Sequence, residues 1–196
     1  IISSSHAIAK GVITSPEQLH ISYVHTPMRY AWDQMNTYLE KSILSKFGFE
    51  IPIRFMLYKL RAWDFYSSQR LDHIIANSNF TSKRIKKYWG LESDVINPPV
   101  DVKRFKYKND REDYYISVNR LVPNKRIDLL IKAFNKLKLP LIIIGDGPER
   151  LKLEKISNPN IKFLRKLPDK EVENYMSRCR AFVYAGIEDF GIAPVE

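Results

Sequence analysis

The stretch IEDFGIAPVE at residues 187–196 carries two glutamates, Glu188 and Glu196, around Gly191 and Pro194. Proline is tolerated in the first turn of a helix and glycine allows the backbone to approach a ligand closely, so this pair marks a helix entry. Free backbone N–H groups at such an entry point at an anion or at sugar hydroxyls. About one turn further on, the Glu196 carboxylate can accept two hydrogen bonds from a vicinal diol such as a ribose, or it can serve only to balance the helix dipole. Glutamates at this spacing arise readily by chance, so their surroundings must decide.

In parallel α/β sheets, ligands bind outside the carboxyl ends of the strands, which directs attention to residues just after apolar runs. Arg120 and Lys125 follow ISV and bring two permanent positive charges suited to a diphosphate, although basic residues leading into a helix also serve as plain solvated surface. Gly145, Asp146 and Gly147 follow LIII, and Glu188, Asp189, Phe190 and Gly191 follow AFVYAG. His25 and Arg29 in YVHTPMRYAWD hold the same position after an earlier run, with His25 ahead of a proline turn.

The elements that position these residues are clearest from residue 113. YYISVNRL, LPLIIIGDG, NIKFLRKL and RAFVYAG read as strands, and RIDLLIKAFNKLK, PERLKLEKI and PDKEVENYMSRC read as the helices between them. Strand and helix alternating through short links predict a parallel, doubly wound sheet. In the earlier half, HISYVHT and DHIIANS read as strands ending at polar residues, and FTSKRIKKYWG as a helix closed by Gly90. Residues 27–71 between them are aromatic-rich and helical or irregular. Tyr88 and Trp89 fall where that helix faces its sheet, so KRIKKYW reads as core packing with a wet basic face rather than a nucleic-acid surface. NPPVD is a stiff connector. We place the boundary just after it, giving units 1–108 and 109–196.

Composition bounds the function. At 44% hydrophobic, 196 residues bury a real core, and no run approaches a membrane span. The single cysteine, Cys179, cannot form an intrachain disulfide, and with four scattered histidines no metal site is expected. A net charge of +10 suits an anionic partner such as a phosphate, nucleic acid or an acidic membrane surface, or it reflects lysine-rich solvated faces.

Taken in order, SSSHAIAKGV, YVHTPMRYAWD, LRAWDFYSSQRLDHIIANSNF, INPPVD, VNRLVPNKRIDLLIKAF, IIIGDGPE and EDFGIAPVE resemble the family 4 retaining glycosyltransferases, and within them the mannosyltransferase-like group. The resemblance implies the glycosyltransferase-B architecture of two Rossmann-like domains, with the donor nucleotide sugar bound by the second. It implies that Glu188 stands beside the donor sugar while the backbone of Phe190 and Gly191 holds its hydroxyls, and that Glu196 grips the ribose. Arg120 and Lys125 then neutralise the diphosphate, Gly145 and Gly147 belong to the donor site, and His25 reaches the donor sugar from the first domain. Arg165 stands where relatives usually have glycine, which leaves the choice of nucleobase open. The family's opening strands with their glycine-rich loop, and everything that follows Glu196, are expected to lie outside this sequence.

The expected activity is transfer of a sugar from GDP-mannose or a UDP-sugar to a glycan or lipid-linked acceptor, without cofactor or metal and with retention at the anomeric carbon. No second carboxylate is assigned as nucleophile. The expected setting is cytoplasmic, peripheral to an anionic membrane surface, without nucleic acid. Two rivals stay open: a non-catalytic basic module for nucleic acid or membrane, and a sugar-nucleotide epimerase or glucan phosphorylase of the same architecture.

Overall fold

A computed structural model describes residues 1–41, 48–105 and 110–196, and the chain divides into two compact units, Ile1–Pro98 and Pro99–Glu196. The division falls between the two prolines of INPPVD, through which neither a helix nor a central strand can run. Residues 106–109, within the charged stretch where the sequence reading puts the boundary, lie outside the described residues.

The first unit holds four parallel strands, β1 (Ile2–Ser5), β2 (Ile21–Val24), β3 (His73–Ala76) and β4 (Asp94–Val95), in that spatial order. Helices α1 (Met35–Lys41) and α2 (Glu50–Ser68) join β2 to β3, and α3 (Asn79–Trp89) joins β3 to β4. Local chemistry sets the limits of α3. The Ser78 side chain accepts from the Thr81 N–H at 3.0 Å, and Gly90, at φ 71°, donates its N–H back to the Lys86 carbonyl at 3.1 Å. Ile85 and Trp89, four residues apart, then share one core with Val24, Ile74 and Ala76. Lys86 and Lys87 stay in water, while Arg84 departs from the expected wet face by turning inward to Asp33.

Two strands have no sequence signal of the kind used above. β4 is only two residues long, and β1 is ISSS, without an apolar run. Hydrogen bonding replaces aliphatic packing there: Ser3 Oγ lies 2.9 Å from His20 Nε2 and donates to Ser22 Oγ at 3.0 Å, all three groups being buried.

The second unit has parallel strands β5 (Tyr115–Val118), β6 (Leu141–Ile144), β7 (Ile161–Leu164) and β8 (Ala181–Phe182) in the spatial order β7-β6-β5-β8. Its helices are α4 (Ile127–Leu137), α5 (Arg150–Lys155), α6 (Asp169–Arg178) and α7 (Ile192–Val195). Strand β6 explains the architecture. Leu141 and Ile143 pack with Ile127, Leu130, Ile131 and Phe134 of α4 and Leu153 of α5, whereas Ile142 and Ile144 pack with Tyr114, Ile116 and the apolar side of α6. A strand covered on both faces must be apolar throughout, which is why LIII does not alternate. Each such aliphatic side chain contributes about 1.5–3 kcal/mol through burial. Among the described residues, no helix is long and apolar enough to cross a membrane, and no group of three or more His, Cys, Asp or Glu could hold a metal ion.

Candidate functional site

Strand order puts the site where the chain reverses direction across the sheet. From β5 the chain steps to β6 and β7 on one side, and then β8 pairs with β5 on the other. The loops leaving β5 and β8 therefore diverge around a crevice at the carboxyl ends of the strands, the place where open α/β sheets bind ligands.

Lys125 and Glu188 meet in this crevice. The lysine ends a 3-10 turn, Pro123–Lys125, and its Nζ donates to Glu188 Oε1. The Tyr184 hydroxyl donates to the same oxygen, and the Lys125 ammonium lies 5.9 Å from the centre of the Tyr184 ring. With side chains 21% and 24% exposed, the pair is reachable from solvent but less screened than a free surface pair. Gly191 closes the loop at φ 86°, and a Cβ there would sit 3.3 Å from Glu188 Cβ and Cγ. The glycine thus permits both the backbone turn and the close seat of the carboxylate. Phe190 before it is half-buried.

Gly145 and Gly147 join the loop after β6 to the loop after β5. A Cβ on Gly145 would lie 1.9 Å from the Asn119 carbonyl oxygen, and one on Gly147 would lie 2.4 Å from that of Leu121. Between them, the Leu121 N–H donates to the Asp146 carbonyl at 2.9 Å. Both glycines are accounted for by this backbone contact, which fixes the path of the segment carrying Arg120. Arg120 is exposed, and among the described residues none bonds its guanidinium. Arg165, just past β7, is exposed as well.

Glu196 has a different partner. It ends α7 and accepts from Arg104 Nη2 at 2.9 Å, while Arg104 Nε lies 3.6 Å from Glu173. The carboxylate lines a pocket of about 360 Å³ beside Ala181, together with Phe105, Arg111, Cys179 and Arg180. The structure therefore brings Glu188, Lys125 and Gly191 together and holds Glu196 on Arg104. Tyr184 is the member of the cluster that sequence reasoning missed, because an aromatic residue in a strand reads as core.

In the first unit, exposed His25 follows β2 and its Nε2 lies 2.8 Å from Ser4 Oγ of β1. The turn beyond it is held by α3: Thr81 Oγ1 donates to the His25 carbonyl at 3.2 Å, and Arg84 donates to Thr26 Oγ1 and Asp33 Oδ1, each at 2.8 Å. Arg29, in the same segment, is half-buried.

Behind that turn lies a buried ion pair that the sequence reading did not find. Lys10 Nζ donates to Asp64 Oδ1 at 2.6 Å and to the Ala7 carbonyl at 3.2 Å, while the Trp32 and Trp89 indoles each donate to Asp64 Oδ2 at 2.8 Å. Burial pushes the Lys10 ammonium below its ordinary value, opposed by Asp64. A usable signal existed. Buried indoles require an acceptor, and Asp64 follows a tryptophan in a mostly apolar helix.

Comparison with known proteins places the second unit beside the glycosyl transferases. Residues 100–196 match the family described as "Glycosyl transferases group 1". Alpha-1,3/1,6-mannosyltransferase ALG2 of Candida glabrata is 30% identical over 114 residues, covering 49% of this chain and 24% of that protein. The O-antigen chain mannosyltransferase RfbU of Salmonella typhimurium is 25% identical over 142 residues, covering 66% of this chain and 40% of that protein. The chain thus spans from about a quarter to two fifths of the length of these relatives. Among solved structures, TarM superposes with a TM-score of 0.66 at 14% identity, over 94% of this chain and 36% of TarM. A mutant of TarM from S. aureus, solved with Fondaparinux, alpha-GlcNAc-glycerol and UDP, superposes with a TM-score of 0.56 at 16% identity, over 87% of this chain and 33% of that one. Residues 100–196, just under half of the chain, thus resemble the group 1 glycosyl transferases, on a fold shared with glycosyltransferases of the glycosyltransferase-B type.

Proposed function

We propose that the protein transfers a sugar, mannose in the first instance, from a nucleoside-diphosphate sugar to a glycan or lipid-linked acceptor. The anomeric configuration is retained, and the work serves surface polysaccharide or glycolipid synthesis at the cytoplasmic face of a membrane. The observation that carries this reading is the Lys125–Glu188–Tyr184 cluster in the crevice between β5 and β8 of a unit that matches the group 1 glycosyl transferases. That the two relatives are named mannosyltransferases supports mannose as the sugar, with GDP-mannose our first choice of donor, and the UDP in the TarM mutant structure keeps a UDP-sugar as second choice.

In this proposal the catalytic burden is electrostatic. Breaking the glycosidic bond moves negative charge onto the leaving diphosphate, and fixed cations beside it lower the barrier because they need no reorganisation at that moment. Arg120 meets that charge directly. Lys125 shares its ammonium between Glu188 and the diphosphate, so Glu188 and Tyr184 keep it in place before donor arrives. Glu188 then takes a sugar hydroxyl, with the N–H groups of Phe190 and Gly191 beside it. Glu196 binds the ribose by sharing its carboxylate with Arg104. His25 keeps its role toward the donor sugar on its motif alone. Glycoside hydrolases place two carboxylates about the scissile bond, whereas this proposal assigns no second carboxylate as nucleophile.

The test is sugar transfer by the full-length protein to a lipid-linked acceptor, with the anomer of the product read by NMR. A product of retained configuration, together with a transfer rate that falls in Glu188→Gln, supports the proposal. An inverted product, or an unchanged rate in the variant, contradicts it.

A further inference from the structure

Strand β8 and the residues just past it send their side chains to alternate faces, with one exception. Phe182 packs with the apolar side of α6, while Val183 and Ala185 pack with the core around α4. By that alternation Tyr184 belongs on the Phe182 side, but among the described residues it joins neither cluster. Its phenol lies against Gly186 instead, and its hydroxyl donates to Glu188 Oε1.

Gly186 makes that reach possible. A Cβ there would lie 2.5 Å from the Tyr184 hydroxyl oxygen, 2.9 Å from Cζ of the ring and 3.0 Å from the Asn124 carbonyl oxygen, so a side chain at 186 would push the phenol off the carboxylate. A half-buried tyrosine needs some acceptor, and a backbone carbonyl serves, as the Tyr175 carbonyl does for Tyr114. Tyr184 instead makes a charge-assisted bond to a carboxylate in the crevice. Lys125 donates to the same oxygen, and Oε2 accepts neither bond. One oxygen of Glu188 is thus held by the protein and the other is left for a ligand hydroxyl.

We propose that Tyr184 is a positioning residue that sets selectivity for the sugar. Its phenol, seated in the space that Gly186 leaves, holds Glu188 Oε1 so that Oε2 meets one hydroxyl of the donor sugar. The Lys125 ammonium is shared with the diphosphate once donor binds, whereas the Tyr184 bond does not depend on the ligand and keeps the carboxylate aimed throughout. This rests on the proposed function, from which the sugar contact of Glu188 is taken, and assigns the aim of that contact to a residue outside the charged pair.

The experiment is transfer by the full-length protein from GDP-mannose and its monodeoxy analogues, with UDP-glucose and its monodeoxy analogues in parallel. The analogue that lacks the hydroxyl met by Glu188 is the one the wild type rejects most strongly in kcat/KM. In Tyr184→Phe that discrimination should fall on the order of tenfold, as for a lost hydrogen bond to a charged group, with kcat lowered and the Kd for GDP and UDP within about twofold of wild type. Gly186→Ala should act in the same direction, and the double variant should lose no more than the stronger single one, because both changes remove the same bond. If Gly186→Ala fails to fold, Tyr184→Phe carries the test alone. Discrimination unchanged in folded Tyr184→Phe, whatever becomes of its stability or nucleotide affinity, overturns the proposal and leaves the transferase reading standing. Losses that add in the double variant overturn it too. A wild type that transfers from neither donor overturns both readings.

Discussion

At the scale of single residues, the proposed roles differ in what they predict for kinetics. Arg120 has no partner among the described residues, so its charge is available to the departing diphosphate. Arg120→Ala should lower kcat on the order of a hundredfold, by analogy with other lost transition-state donors, while changing the donor KM little. A rise in donor KM at constant kcat would make Arg120 a binding clamp. Glu196→Ala should do the reverse, raising donor KM at nearly constant kcat, because a ribose contact persists from ground state to transition state. Steady-state kinetics on the two variants separates the cases. The strand-end rule made Glu188, Arg120 and Lys125 legible in the sequence. It could not reveal the partner of Glu196, since Arg104 is 92 residues away in the chain. Nor could it tell whether Gly145 and Gly147 serve a ligand or the backbone contact they make.

At the scale of elements, the second unit was legible because each of its strands is an apolar run between helices of clear period. The first unit was less so. β1 holds its place through buried serines, and α2 turns its apolar face outward, so hydrophobic pattern is a poor guide to both. The Asp64 hub compensates by linking α2, α3, the turn beyond β2 and the segment around Lys10. Asp64→Ala leaves the Lys10 ammonium buried and two indoles without an acceptor, and should cost about 3–5 kcal/mol in chemical denaturation. Lys10→Met, which leaves Asp64 its two indole donors, should cost clearly less. In the second unit, Tyr114 donates to the Tyr175 carbonyl at 2.8 Å, and burial, helped by the nearby Glu112 charge, pushes its hydroxyl from 10.0 up to about 12. The folded state therefore keeps a proton that the unfolded state gives up between those values. The stability this contributes is full below pH 10.0 and is lost as pH rises toward about 12. Unfolding free energies measured on either side of pH 10.0 should fall less steeply for Tyr114→Phe than for the wild type.

At the scale of the molecule, the chain is assembled from two parallel sheets, and the second has the strand order that creates a binding crevice. The likeness to the group 1 glycosyl transferases lies in that second unit, and the proposed chemistry rests on what its crevice binds. A net charge of +10 is compatible with a diphosphate donor and with an anionic surface alike, so charge alone does not choose between transferase and basic module. Donor binding does. Titration calorimetry of the full-length protein with GDP-mannose and with UDP-sugars, repeated on Lys125→Ala, tests the central claim most directly. The account predicts saturable binding that prefers one nucleotide and weakens about tenfold or more in the variant, as for a lost charge-assisted contact. Absence of saturable binding to any of these donors, or an equal Kd in Lys125→Ala, would contradict it.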